Sequence, residues 1–120
     1  MYNSTTEAKR CIACKVPFCE KGCPVSTPIK NIIKMYLDNK ILEAGDILFK
    51  NNPLSIVCAI VCPHEKQCEG SCILSRKSYG VKFGEIENDI STSYIDNVDF
   101  AIHKLNEKRS KVAIIGGGPA

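Results

Sequence analysis

Two cysteine-rich stretches decide the fold of this chain: residues 11–24 are CIACKVPFCEKGCP, and residues 58–72 are CAIVCPHEKQCEGSC. Each stretch holds four of the eight cysteines in the sequence. The first is also dense in Pro and Gly and has neither a helical nor a strand period, which is typical of a loop wrapped around a bound group. The cysteines are therefore the first candidates for metal ligands.

The spacing of these cysteines predicts two 4Fe–4S clusters. The first stretch has the pattern C-x2-C-x4-C-x3-C-P, and the second has C-x3-C-P-x4-C-x3-C. In bacterial two-cluster ferredoxins the cysteine before the proline ligates the other cluster, and Cys23-Pro24 and Cys62-Pro63 fit that position. The middle spacing of four residues differs from the two of those ferredoxins, so this is not a plain ferredoxin. Simple counting favours all eight cysteines as ligands, because two clusters have eight corners.

Three alternatives compete for the cysteines. Structural zinc also uses sets of four, although only Cys11 and Cys14 form a tight C-x2-C pair, and it would make this a zinc-stabilised interaction domain. Disulfides would require an oxidising compartment. A single cysteine can also be a small buried apolar residue, and Cys58, within an apolar helical run, is the best candidate for that role. His64 follows Cys62-Pro63, so it either lies beside a cluster and influences its potential or is a surface histidine.

Composition narrows the class of partner. The 120 residues suit one domain, and 16 basic against 13 acidic residues give a net charge of +3 without a basic patch. This small charge argues against nucleic acid or membrane partners. The first ten residues have no apolar run, so we expect no signal peptide, a cytoplasmic location and reduced thiols.

Outside the cysteine stretches the apolar residues follow a helical period. Ile29, Ile32, Ile33, Tyr36 and Leu37 form the clearest stripe. A short helical turn is expected at Cys68 and Cys72. The other predicted helices are a short one capped by Ser4 and Glu7, one beginning at Thr27-Pro28, one from about Ile41 to Asn51, one from Pro53 to Cys62 and one from Glu85 to about Ile102.

The end of the sequence differs in kind from the rest. Lys111 to Ile115 is a β-branched apolar run, and Gly116-Gly117-Gly118-Pro119-Ala120 follows it. A strand followed by G-x-G-x-x-G is typical of a dinucleotide-binding domain, in which Gly116 and Gly118 would approach the pyrophosphate. We therefore expect a domain over 1–108 and the incomplete start of an FAD- or NAD(P)-binding domain over 109–120. A Gly-rich tail is the alternative.

These motifs together resemble a known family. RCIACKVPFCEKGCPVSTPI, CAIVCPHEKQCEGSC, FGEIE and VAIIGGGPA are similar to the N-terminal region of small (β) subunits of NADPH-dependent glutamate synthases. The same module resembles the N-terminal domain of dihydropyrimidine dehydrogenase and the large subunit of NADH-dependent ferredoxin:NADP oxidoreductase. The resemblance implies an all-α, α-helical ferredoxin-like domain followed by the first strand of a Rossmann-type flavin domain.

The resemblance also implies which residues bind each cluster. One cluster would take Cys11, Cys14, Cys19 and Cys72. The other would take Cys23, Cys62, Cys68 and a carboxylate, Glu87, which leaves Cys58 as the spare cysteine.

A function follows from the same resemblance. In the full-length protein, NADPH would reduce an FAD in further domains, and electrons would pass through the clusters to the large (α) subunit, which makes two glutamates from glutamine and 2-oxoglutarate. No catalytic residue is expected within this module. The alternative is the same module in another flavin oxidoreductase.

Overall fold

The computed structural model describes residues 3–99 and 112–117, and its regular structure is helical. The described residues form six α-helices and two short 3₁₀ turns, at His64–Lys66 and Ile73–Arg76. The all-α prediction is therefore confirmed for this part of the chain. The helices are α1 (Ser4–Lys9), α2 (Phe18–Gly22), α3 (Ile29–Leu37), α4 (Ile41–Asn51), α5 (Ser55–Val61) and α6 (Phe83–Asn97).

The stripe on α3 builds one side of the core. Ile29, Ile32, Ile33 and Tyr36 are buried, as their helical spacing predicts, and α3 packs against α1 and α4. The Tyr36 hydroxyl donates a hydrogen bond to the carboxylate of Asp89 on α6. This bond ties α3 to α6 at the edge of the core.

Helix α6 builds the other side of the core. It packs against α1, α4 and α5, and its residues Phe83, Ile86 and Ile90 are buried. Each fully buried aliphatic side chain of this size stabilises the fold by roughly 1.5–3 kcal/mol. The same helix carries Glu87 on its buried side. The helix that completes the core therefore also delivers a predicted ligand.

A buried ion pair joins α1 to the segment before α6. Glu7 is almost fully buried, and its carboxylate accepts from Arg10 at 2.8 Å and from the Lys82 backbone N–H at 3.1 Å. The Arg10 guanidinium also donates to the backbone carbonyls of Tyr79 and Gly80. Arg10 lies next to Cys11, so this network fixes the start of the first cysteine stretch.

The helix boundaries depart from the sequence predictions in several places. Helix α5 runs from Ser55 to Val61 rather than from Pro53 to Cys62, and α6 begins at Phe83 rather than at Glu85. The N-cap of α1 is Asn3, whose side-chain oxygen accepts from the Thr5 N–H, rather than Ser4, because the Glu7 carboxylate is turned toward Arg10. Helix α3 begins at Ile29, with Pro28 as its N-cap, instead of at Pro28. Helix α6 ends at Asn97 rather than near Ile102, because Val98 is extended.

Three helical features differ in kind from the predictions. The first cysteine stretch contains a short helix, α2, which at five residues is too short to show a period. Helix α5 exists, but Val57, Ile60 and Val61 face solvent, with Ile60 72% and Val61 69% exposed. The two 3₁₀ turns flank Cys68 and Cys72 rather than containing them.

The C-terminal segment adds no regular structure to the described chain. Residues 112–117 are exposed and form no strand, so the expected Rossmann strand is not seen in them. Gly116 has a φ of 105°, which only glycine adopts readily. Gly118 and the expected domain boundary near residue 108 lie outside the described residues. No helix within the described ranges is long and apolar enough to cross a membrane.

Candidate metal centre

Four of the predicted thiol ligands meet at one cavity beside α3. Apart from Lys30, the other lining residues are apolar and include Ile29, Ile33 and Phe83. This first cavity is lined by Cys11, Cys14, Cys19 and Cys72, with Cys68 at the boundary to the second cavity.

Different elements deliver the four thiols of the first cavity. Cys11 directly follows the last turn of α1, Cys19 lies in α2, and Cys72 precedes the second 3₁₀ turn. Cys14 follows Ala13, whose φ of 50° is in the left-handed region and turns the loop sharply. The first stretch thus folds back on itself until its cysteines face the one from the second stretch.

A lysine supports the same loop. The Lys30 ammonium at the start of α3 donates to the Cys14 backbone carbonyl at 3.2 Å. Its positive charge also favours the thiolate of Cys11. Lys30 therefore fixes the loop and supplies a cation to a site that would hold anionic thiolates.

Two thiols of the first cavity, those of Cys11 and Cys19, resist ionisation. Burial raises the pKa of Cys19 to about 11, and the neighbouring Cys72 and Cys11 thiols add to this effect. Burial likewise raises the pKa of Cys11, assisted by Cys14 and Cys72. These thiols stay protonated at neutral pH without a cation, so a bound metal must displace their protons.

The remaining predicted ligands meet at a second cavity between α5 and α6. Cys23 directly follows α2, Cys62 directly follows α5, and Glu87 lies on α6. The titratable side chains that line this second cavity are Cys23, Cys58, Cys62, Cys68, His64 and Glu87.

In the second cavity, neighbouring acidic groups raise one another's pKa values. Burial raises the pKa of Cys68 to about 12, and the Glu69, Cys23 and Glu87 groups raise it further. Burial raises the pKa of Cys62 to about 11, followed by the effects of Cys58, Glu87 and Cys23. So many acidic groups in one cavity require a cation before they can ionise together.

Glu87 is the most unusual acid of the second cavity. Its residue is 5% exposed, and burial alone raises its pKa to about 7. A buried carboxylate is costly unless a cation or a metal compensates its charge. The position of Glu87 therefore fits a metal ligand.

Cys58 lines the same cavity as Glu87. The Asn52 side-chain amide donates to the Cys58 sulfur at 3.1 Å. Cys58 is half-buried, and its interpretation as a small apolar residue rather than a ligand stays a prediction. The position of Cys58 does not by itself choose between Cys58 and Glu87.

The two cavities are adjacent, and the two cysteine stretches that form them pack closely against each other at Gly22. Cys68 lines both cavities. Between them, α2 lies so close to the second stretch that a Cβ on Gly22 would be 2.7 Å from the Ser71 Cβ and 2.8 Å from the Gln67 carbonyl oxygen. Only glycine fits there, so Gly22 allows the two cysteine stretches to pack as one unit.

The donor set fits iron–sulfur clusters. Among residues 3–99 and 112–117, no group of three His, Cys, Asp or Glu side chains is arranged to hold a single metal ion. All eight cysteines are free thiols rather than disulfides. Thiols that surround two cavities, with one carboxylate, supply the sulfur-rich ligands that such clusters use.

Comparison with known proteins decides the family. The family described as dihydropyrimidine dehydrogenase domain II, 4Fe–4S cluster, matches residues 2–98. The chain belongs to this 4Fe–4S domain family. Because the description names a 4Fe–4S cluster and the match spans both cysteine stretches, the iron–sulfur prediction is confirmed in preference to zinc.

Curated relatives of this 4Fe–4S domain include two kinds of protein. The chain is 38% identical to the glutamate synthase [NADPH] small chain of Escherichia coli (strain K12) over 120 residues, covering 95% of this chain and 24% of the relative. It is 36% identical to the small chain of Halomonas elongata over 124 residues, covering 98% of this chain and 25% of the relative. The resemblance to glutamate synthase small subunits is confirmed.

The second kind of relative is a subunit of a dihydropyrimidine dehydrogenase. The NAD-dependent dihydropyrimidine dehydrogenase subunit PreT of Salmonella typhimurium is 37% identical over 116 residues, covering 95% of this chain and 28% of the relative. The 4Fe–4S domain thus spans about a quarter of the length of the curated relatives that it matches.

Some site residues were not predicted from the sequence of this 4Fe–4S domain. Lys30 and Asn52 contact cysteines of the two cavities. Lys30 is 16 residues from Cys14, and Asn52 at the end of α4 is 6 residues from Cys58 on α5, so no local motif links them to these cysteines. The sequence is compatible with either a surface position or a cluster-side position for His64, and the structure places it at the second cavity. Only the Cys-Pro-His sequence next to Cys62 gave a signal for any of the three.

Proposed function

We propose that this chain is an electron-transfer module that holds two 4Fe–4S clusters. The observation that carries the proposal is the pair of adjacent cysteine-lined cavities that share Cys68. Each cavity offers four or more sulfur or carboxylate donors. Two neighbouring clusters would form the short path that electron transfer through a small domain needs.

The proposed ligands follow the two cavities. Cys11, Cys14, Cys19 and Cys72 bind the first cluster. Cys23, Cys62 and Cys68 bind the second. Glu87 completes it, because a buried carboxylate is costly unless a metal or another cation compensates its negative charge. Cys58 is the spare cysteine: its sulfur binds no metal and accepts a hydrogen bond from the Asn52 side chain.

In the whole protein we propose a relay between a flavin and a partner subunit. The flavin accepts hydride from NADPH, and the clusters carry single electrons. Residues 109–120 would begin the FAD- or NAD(P)-binding domain, with Gly116 and Gly118 at the pyrophosphate. The full complex would be a cytoplasmic glutamate synthase, whose large (α) subunit converts glutamine and 2-oxoglutarate to two glutamates.

A second candidate is the same relay in another oxidoreductase. The identity to subunit PreT of an NAD-dependent dihydropyrimidine dehydrogenase is within two percentage points of the identities to the two glutamate synthase small chains. The two candidates differ in their acceptor. Glutamate formation with a purified large subunit supports the first, and NADH-dependent pyrimidine reduction without it supports the second.

The ligand proposal is tested by counting iron in two variants prepared without oxygen. The native protein should hold about eight irons and eight sulfides per chain, since each cubane has four of each. Cys58→Ser should keep both clusters, whereas Glu87→Ala should lose the second and hold about half the iron. Loss of iron in Cys58→Ser with full iron in Glu87→Ala would reverse the roles of these residues.

A further inference from the structure

His64 brings an unpartnered nitrogen to the second cavity. Within the described part of the chain, its Nε2 is the one buried side-chain polar atom without a hydrogen-bond partner. The imidazole lines the cavity together with the proposed ligands Cys23, Cys62, Cys68 and Glu87. A buried donor that lacks a partner destabilises a fold, so a native structure normally supplies one.

The position of the His64 ring is fixed by its packing against α6. A Cβ on Gly84 would lie 2.5 Å from the His64 Cε1 and 2.8 Å from each ring nitrogen. Glycine at the second residue of α6 therefore lets the imidazole lie flat against the helix. The backbone of His64 is also fixed, because its carbonyl accepts from the Gln67 and Glu69 N–H groups.

The neighbours of His64 determine what its nitrogen can bind. The other titratable groups at this cavity are thiols and one carboxylate, all of which are proposed ligands except Cys58. The side-chain oxygens of Thr27, Asn52 and Gln67 also line this cavity, but no described atom accepts a hydrogen bond from Nε2. A sulfur of a cluster bound in this cavity would supply the missing acceptor. Sulfur atoms of clusters accept hydrogen bonds, and these bonds are one of the factors that set the reduction potential.

We propose that His64 is a tuning residue whose Nε2–H donates a hydrogen bond to a sulfur of the second cluster and raises its reduction potential. The inference rests on the proposed function, since it requires a cluster in the second cavity. Reduction adds negative charge to the sulfurs, so a donor stabilises the reduced form more than the oxidised one. The second cluster is therefore easier to reduce with this hydrogen bond than it would be without it.

The variants that test this inference distinguish loss of the N–H donor from loss of the aromatic ring. His64→Phe keeps an aromatic ring of similar size and has no N–H, whereas His64→Gln keeps a donor. Lys30→Met removes the charge beside the first cavity and serves as the matched control. Potentials are measured by EPR-monitored redox titration of the intact, anaerobically prepared protein.

The expected result is a shift in one of two titrating signals. His64→Phe should lower the equilibrium constant for reduction of the second cluster about tenfold, which is about 59 mV for one electron. His64→Gln should recover part of this shift. Lys30→Met should lower the other signal and leave this one unchanged. Unaltered potentials in His64→Phe, or a shift of the same signal by both variants, would overturn the proposal.

Pulsed EPR on native protein labelled with ¹⁵N-histidine gives a test that needs no variant. A hydrogen bond predicts a weak nitrogen coupling and an exchangeable proton at the reduced second cluster. A strong coupling, typical of nitrogen bound to iron, or no coupling at all would overturn the inference. Native protein with only one cluster would instead contradict the proposed function, and the iron count distinguishes these two failures.

Discussion

Glu87 combines two roles that a single side chain rarely combines. It lies on the helix that closes the core, between Ile86 and Ile90, and it also lines the second cavity. Without metal its carboxylate is buried among thiols that also resist ionisation. The residue thus makes the stability of the metal-free fold dependent on pH.

Glu87→Gln should stabilise the metal-free protein above pH 7. The folded pKa of Glu87 is about 7, well above its unfolded value, so the folded state holds the proton more tightly. Its contribution to stability is therefore complete below about pH 4.3 and is lost as the pH rises through 7. Glutamine cannot ionise, so the variant should exceed the native protein by up to about 3 kcal/mol at pH 8. The gain is smaller to the extent that metal removal loosens the cysteine segments that cover Glu87. Urea unfolding at pH 4 and pH 8 measures the difference.

Glu85→Gln is the control for this prediction. Glu85 lies two residues away on the same helix, is more than one-third exposed and is paired with Lys82 at 3.6 Å. Its replacement should change the unfolding midpoint little at either pH, since exposed ion pairs contribute at most about 1 kcal/mol. An advantage of Glu87→Gln that is equal at pH 4 and pH 8 would show that its carboxyl does not ionise with a raised pKa.

Sequence patterns predicted the site residues unevenly, for physical reasons. Local spacing singled out the cysteines as candidates, because most proposed ligands of one cluster lie within ten residues of each other, but spacing did not place Cys72 with the first stretch or Cys23 with the second. The family resemblance supplied Glu87, since no local pattern connects it with residues 25 positions away such as Cys62. The role of His64 depends on its contact with Gly84, which only the folded chain reveals.

At the scale of helices, a period predicts burial only where a partner is present. Four of the five residues of the α3 stripe are buried because α1 and α4 cover them, whereas Leu37 at the end of the helix is 37% exposed. Val57, Ile60 and Val61 of α5 are exposed, whereas Ser55 is buried against α6 with its hydroxyl oxygen 3.1 Å from that of Ser91. The apolar run therefore predicted the helix but did not show which of its residues are buried.

The contact between α4 and α6 yields the next prediction. Gly45 lies inside α4, where alanine would favour the helix by about 1 kcal/mol. However, a Cβ at this position would lie 2.5–2.6 Å from the Cβ and ring carbons of Tyr94. Because these atoms are at the base of the side chain, the helices must separate, and overpacking of this kind costs roughly 1–3 kcal/mol. Gly45→Ala should therefore lower the free energy of unfolding by about 1 kcal/mol in urea titrations.

Gly117→Ala is the matched control for this change. It is also a glycine-to-alanine substitution, and nothing lies within 4 Å of its added Cβ. Its unfolding midpoint should equal that of the native protein. A more stable Gly45→Ala variant would show that helix propensity outweighs the contact with Tyr94.

At the scale of the whole molecule, the helices and the cysteine stretches depend on different forces. The helices share a core of residues such as Ile32, Leu48, Ile86 and Ile90. In contrast, α2 has no buried residue, and Cys68 is the single buried residue of 62–72. Little apolar burial stabilises these two stretches, so their order must depend on what their cysteines bind.

Removal of metal should therefore release the cysteine stretches without melting the core. In hydrogen-exchange mass spectrometry under anaerobic conditions, segments 11–24 and 62–72 should lose protection when iron is chelated. Amides of α3 and α6 should keep most of theirs, because their burial against each other and against α4 does not involve metal. These helices serve as the internal control in the same sample. Equal protection of the cysteine segments with and without iron would show that the protein alone, and not the clusters, orders them.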